Sequence, residues 1–128
     1  MLPMPPSTTA QLDARDLLRR ISDRWTLLIG VQLAAGPRRF GELAKAVDGI
    51  SKKMLAQTLR NLERDGLVAR TVIPSMPVTV EYALTPLGAT LTAPIQALTA
   101  WTDTHMAEVG AARRRYDGER KRVQDDDV

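Results

Sequence analysis

The sequence predicts a mainly α-helical fold carrying one small β-hairpin. Three observations point there. Apolar residues recur at helical spacing over most of the chain, while residues 67–84 switch to β-prone runs around a Pro-containing turn. Aromatic residues make up only 4% of a 128-residue chain that is 44% hydrophobic, so Leu, Ile, Val, Ala and Met must build the core. The length suits one domain with frayed ends. Residues 1–10 are expected to be a flexible arm, 11–110 the folded domain, and 111–128 a charged, disordered tail.

The elements follow in order. Met1 to Thr9 holds three prolines among Ser and Thr, which bars a regular helix. Leu12, Leu17, Leu18 and Ile21 fall on one side of a first helix that starts around Asp13 and gives out near Ser22, where Ser22 and Asp23 can cap the next. The second helix, Trp25 to Ala35, carries Leu27, Leu28, Val31 and Leu33 and reads as almost wholly buried, ended by Gly36 and Pro37. Arg38 to Phe40 is a short extended connector. Phe40, Leu43, Ala44 and Val47 give a third helix of about two turns, and Asp48 with Gly49 makes the turn after it. Ser51 caps a fourth helix over about 51–65, with an apolar stripe of Leu55, Leu59 and Leu62.

Gly66 closes that helix. Leu67, Val68, Val72 and Ile73 suit a strand, Pro74 to Pro77 a turn, and Val78 to Leu84 a second strand. Thr85 followed by Pro86 is a helix start, and Leu87, Leu91, Ile95, Leu98, Trp101 and Thr102 carry the last helix to about Gly110, with a kink or a local break at Pro94.

Helix, Gly-containing turn, helix and hairpin form the pattern of a winged helix-turn-helix, which presents a reading head to DNA. Charge agrees with this. The net charge is +3 overall, but Met1 to Arg70 carries a balance of +5 and Thr71 to Val128 one of −2, so the basic excess lies with the helix-turn-helix. Opposite its apolar stripe the fourth helix presents Lys52, Lys53, Ala56, Gln57 and Arg60, with Asn61 and Arg64 at the margin. Lys and Arg meet phosphates or guanine edges, Ala56 suits a thymine methyl, and Gln57 suits either adenine or a phosphate. Ser51 can offer its hydroxyl and the helix amides to a phosphate. Arg38 and Arg39 are placed for the DNA backbone, and the wing, Thr79 included, for a minor groove, although the tip SMPVT holds no cation.

Other chemistries find little support. There are no cysteines, which excludes disulfides and thiolate sites, and the single histidine, His105, has no clustered partners for a metal. No nucleophile–base pair, paired carboxylate site or nucleotide loop is present, so an enzyme and a cofactor are not expected. The apolar stretch Trp25 to Ala35 is about half the ~20 residues of a membrane span, and the N-terminus lacks signal-peptide character, which predicts a cytoplasmic protein with no membrane partner. The rival class is a winged helix turned protein-interaction module without sequence-specific DNA binding. Its reading face should be apolar or acidic, and Lys52, Lys53, Arg60 and Arg64 argue against it.

The segments DRWTLLI (23–29), GPRRFGEL (36–43), GISKKMLAQTLRNLERDGLVAR (49–70) and VEYALTPLG (80–88) resemble the HxlR family of MarR-like regulators, over about Leu17 to Trp101. The resemblance implies a bacterial transcription regulator, more in the manner of a repressor, that binds a pseudo-palindromic operator as a homodimer through its N- and C-terminal helices. Many such regulators carry a cysteine shortly before the W-T-L-L motif, and this chain has none. Two readings stand for Leu17, Trp25, Leu28, Leu91, Ile95, Leu98 and Trp101: the core and dimer interface, or a pocket for a small-molecule effector.

Overall fold

The computed structural model describes residues 13–126, so the expected arm at 1–10 lies outside the described residues. The elements run α1 (Ala14–Ile21), α2 (Arg24–Ala34), β1 (Arg38–Arg39), α3 (Phe40–Ala46), α4 (Lys52–Arg64), β2 (Val68–Ile73), β3 (Thr79–Leu84), α5 (Pro86–Ala89) and α6 (Thr92–Asp126). They fall into two compact units, one ending at Thr92 and the other beginning at Ala93. The helix-turn-helix and its hairpin lie wholly in the first.

Short polar side chains start the helices by accepting amide hydrogens that no preceding turn can satisfy. Asp13 Oδ1 accepts from the Asp16 N–H at 2.8 Å, and the Asp23 carboxylate from Trp25 and Thr26 at 3.1 and 3.3 Å. Ser51 Oγ accepts from Met54 at 3.0 Å, and Thr85 Oγ1 from Gly88 at 3.0 Å. Ser22 closes α1 at its C-terminus and does not start α2. Gly66, at φ +77°, ends α4: the Leu67 N–H donates back to the Leu62 carbonyl at 2.9 Å, and the Gly66 N–H to that of Glu63 at 3.1 Å. That pair of bonds satisfies carbonyls the helix would otherwise leave open.

The core joins Ile29 and Leu33 of α2, Leu43 of α3 with Val47 just after it, Leu55, Leu59 and Leu62 of α4, and Leu67, Val68 and Tyr82 from the hairpin side. Trp25, Phe40, Ile50, Val80 and Leu91 are half-buried against it. β3 is the central strand of a three-stranded antiparallel sheet, with β2 on one side and β1 on the other. Val68 pairs with Leu84 and Ile73 with Thr79, while Arg38 and Arg39 pair with Tyr82 and Glu81.

Three expectations need correction. α2 is not almost wholly buried: Thr26, Ile29 and Leu33 face inward, whereas Leu28 and Val31 are 39% and 40% exposed. A helix apolar all round carries no polar face to mark its outer side, and its spacing alone could not choose between the two. The last helix is also neither kinked nor broken at Pro94 itself: the break falls at residues 90–91. α5 stops at Ala89 and α6 starts at Thr92, which puts Pro94 in the first turn, where its missing N–H breaks no helical bond.

The expected disordered tail is helical, since α6 runs on through Asp126. Opposite charges four residues apart, at Arg113 and Asp117, Arg115 and Glu119, and Asp117 and Lys121, favour that extension. The Arg120 guanidinium also lies over the Tyr116 ring at 5.9 Å from its centroid. Among the described residues, no helix is long and apolar enough to cross a membrane.

Candidate nucleic-acid interface

The reading head is built around α4, whose inward side is Leu55, Thr58, Leu59 and Leu62. Thr58 escapes an apolar-stripe reading, yet it is buried and satisfies its own hydroxyl on the Met54 carbonyl at 2.8 Å. With those four fixed against the core, helical geometry turns Lys53, Gln57, Arg60, Asn61 and Arg64 outward, and all five are exposed. Lys52, three residues ahead of Leu55, falls on the stripe's own side and is exposed because it is the first helical residue, a correction to the expected opposite face. Ala56 is half-buried on the flank. Met54, which the charge pattern did not single out, is also exposed on the head.

Three of the outward side chains are joined to one another. Arg60 donates to Gln57 Oε1 at 3.0 Å, and Gln57 Nε2 donates to Asn61 Oδ1 at 3.2 Å. At the start of the helix, Ser51 spends an oxygen lone pair on its cap, which leaves its hydroxyl hydrogen to donate outward.

Arg38 and Arg39, in the extended connector, form the two-residue strand β1, so their backbones belong to the sheet. The Arg39 N–H also donates to Glu42 Oε1 at 2.9 Å, which pins the start of α3. The Arg38 guanidinium folds back onto the Pro37 carbonyl at 2.9 Å, while Arg39 is exposed. Thr79, half-buried at the tip end of the wing where β3 begins, lines a shallow depression with Arg39, Phe40 and Lys45. At the wing tip Ser75 Oγ donates to the Pro77 carbonyl at 2.7 Å, and Met76 stands 99% exposed.

One contact that supports the head has no signature in the local sequence. Arg20, near the end of α1, donates from Nη1 to both carboxylate oxygens of Asp65, at 2.9 and 3.1 Å, bridging 45 positions of chain. Asp65 is the C-cap of α4, where a negative charge opposes the helix dipole, so the guanidinium offsets an unfavourable placement while tying α1 to the reading helix. Beside this pair lies a cleft of about 270 Å³, whose lining includes Arg20, Ile21, Thr26, Gln57, Thr58 and Asn61.

The seven residues expected at a pocket or interface do not line that cleft. Trp25 and Leu91 are half-buried against the core, and Leu17 and Leu28 are exposed on α1 and α2. Ile95, Leu98 and Trp101 belong to α6 in the second unit, where Trp101 stacks on His105 with ring centroids 4.6 Å apart.

Comparisons with known proteins agree with this architecture. The HxlR-like helix-turn-helix family model matches residues 20–109. The uncharacterized HTH-type transcriptional regulator YtfH of Escherichia coli K12 is 42% identical over 103 residues, covering 80% of this chain and 82% of that protein. Among solved structures, YtfH of Salmonella typhimurium superposes with a TM-score of 0.75 at 40% identity, over 81% of this chain and 93% of that one. The reduced form of the transcriptional regulator YodB from Bacillus subtilis gives 0.63 at 38% identity, over 73% and 93%. This chain belongs to the HxlR-like helix-turn-helix family: it is a winged helix-turn-helix, DNA-binding transcriptional regulator and not an enzyme.

Proposed function

We propose that the protein binds a pseudo-palindromic operator as a homodimer and represses by occupying it. In this reading α4 enters the major groove, and the β2–β3 hairpin lies alongside as a wing. The observation that carries it is the outward row of Lys53, Gln57 and Arg60, opposite a buried leucine stripe, with Lys52 exposed at the helix start. Cations supply affinity by displacing counterions, and amide groups supply discrimination between bases. Arg38 and Arg39 add phosphate contacts from a rigid strand, Ser51, Asn61 and Arg64 border the groove, Ala56 meets a thymine methyl, and Thr79 serves at the wing.

The dimer reading rests on apolar surface left in water. Leu17 and Leu18 on α1, Leu28 and Val31 on α2, and Leu98, Trp101, Met106 and Val109 on α6 are all exposed in the single chain. On α6, Ile95, Leu98, Thr102, His105, Val109, Ala112 and Tyr116 alternate steps of three and four, the spacing of a helix–helix seam. A second copy covers that surface and sets two α4 helices about one helical turn of DNA apart. Control by a small-molecule effector suits the cleft beside Arg20 and Gln57. With no cysteine in the chain, it does not run through thiols.

Footprinting on DNA flanking the protein's own gene tests the operator, and sedimentation tests the dimer. We expect an inverted repeat, protected with steep salt dependence, and a dimer that Leu98→Glu with Val109→Glu converts to a monomer of lower DNA affinity. Absence of a discrete protected site, or binding indifferent to salt, refutes the reading. A reporter that rises when the operator is occupied refutes repression.

A further inference from the structure

We propose that Gln57 reads adenine as the middle member of a fixed relay, with Arg60 setting the polarity of its carboxamide and Asn61 acting as its positioning residue. The inference rests on α4 entering the major groove, as proposed above. Its basis is the pair of bonds on the exposed face, Arg60 to Gln57 Oε1 at 3.0 Å and Gln57 Nε2 to Asn61 Oδ1 at 3.2 Å.

The relay has only one self-consistent orientation. A guanidinium donates and never accepts, so the atom of Gln57 facing Arg60 must be its oxygen. The amide nitrogen then turns toward Asn61, which must answer with its own oxygen. A reversed Gln57 would set N–H against N–H at one end. The spacing of three and four residues keeps all three side chains on one face, so helix geometry builds the relay before any ligand arrives.

The remaining valences define the ligand. Gln57 has one N–H and one oxygen lone pair left over. Adenine offers N7 as acceptor and N6–H as donor along its major-groove edge, which matches both. Guanine offers two acceptors, N7 and O6, so the Gln57 oxygen would face O6 with no hydrogen between them. A free glutamine could rotate its carboxamide to suit other partners, and it would also lose more rotamer freedom on docking. Held by Arg60 and Asn61, it keeps the adenine polarity.

The test uses the full chain on its own footprinted operator, with every base pair of one half-site substituted singly. Binding is measured for the natural protein and for Gln57→Ala, Gln57→Glu, Asn61→Ala and Asn61→Asp. We expect the natural protein to prefer adenine at one pair by about tenfold and Gln57→Ala to erase that preference. Gln57→Glu, with acceptors only, should move the preference toward cytosine, whose N4 amino group donates.

Asn61→Ala should shrink the adenine preference several-fold at that pair alone, an effect that general weakening of the helix would not produce. Asn61→Asp keeps an acceptor for Gln57 and should preserve the base ranking while binding more weakly everywhere. Uniform loss across all operators on Asn61→Ala with the size of the adenine preference unchanged, or a guanine preference of the natural protein at the Gln57 pair, overturns the relay while leaving DNA reading intact. If the natural protein protects no operator at all, the major-groove reading itself fails and the relay falls with it.

Discussion

Replacing Gly88 with Ala sets two physical effects against each other, and the geometry decides between them. Helix propensity alone favours Ala over Gly by about 1 kcal/mol, so in an open helix the change stabilises. Gly88 is buried in α5, and a Cβ added there would stand 2.0 Å from the Leu67 carbonyl oxygen, 2.9 Å from its carbon and 3.3 Å from its Cα. All three are backbone atoms and cannot rotate away. The same oxygen accepts the Thr85 N–H at 3.1 Å, so relieving the clash also strains that bond. Overpacking costs about 1–3 kcal/mol and a lost hydrogen bond about 1 kcal/mol, against roughly 1 kcal/mol of regained propensity. The net expectation is a destabilisation of about 1–3 kcal/mol. Urea unfolding at fixed protein concentration reads it as a midpoint lowered by roughly 1 M, given a slope of about 1–3 kcal/mol per molar. A midpoint unchanged or raised refutes the argument, because it shows α5 riding free of the turn after α4.

Two further outcomes follow from other sites. Changing Lys52 and Lys53 together to Ala should weaken binding to every operator variant alike and flatten the log–log salt dependence by about two units, checked by titration over a salt series; a loss confined to particular bases contradicts a phosphate role. Arg20→Ala should cost about 1–3 kcal/mol in unfolding experiments, because it strands a carboxylate whose side chain is only 11% exposed. Asp65→Ala should cost less, since it also removes a negative charge from the C-terminal end of α4; the reverse order of the two variants would show the pair to be incidental.

What could be read in advance was whatever local sequence encodes. Leu55, Leu59 and Leu62 announce the inner side of α4 because a helix repeats within the window being read, and Ser51 and Gly66 mark its ends by chemistry confined to one turn. The outward position of Lys53, Gln57 and Arg60 follows directly from that stripe, whereas Lys52 shares the stripe's side and is exposed only by its place at the helix start. Long-range facts were not legible. Arg20 finds Asp65 only once a partner 45 positions along the chain has folded back to it, and Gly88 looks like any small helix residue until the Leu67 backbone is set against it. The inner side of α2 has no signature in the sequence because Leu28 and Val31 are as apolar as Ile29 and Leu33. Arg-rich residues 112–124 resemble a solvated tail in composition, although their charges are spaced for a helix.

The bonds around Thr85 also make the hairpin a closed ring. Thr85 donates its hydroxyl to the Gly66 carbonyl at 2.6 Å across 19 positions, and its amide to Leu67. Everything between those anchors leaves and re-enters the domain through one clasp. Length added at the tip, between Ile73 and Thr79, therefore changes only the closure entropy of a ring already shut at its base, about 0.6 kcal/mol for each doubling of the loop. The tip is thus the part of the reading head most open to insertion, by evolution or by design, with α4 left undisturbed on its leucine stripe.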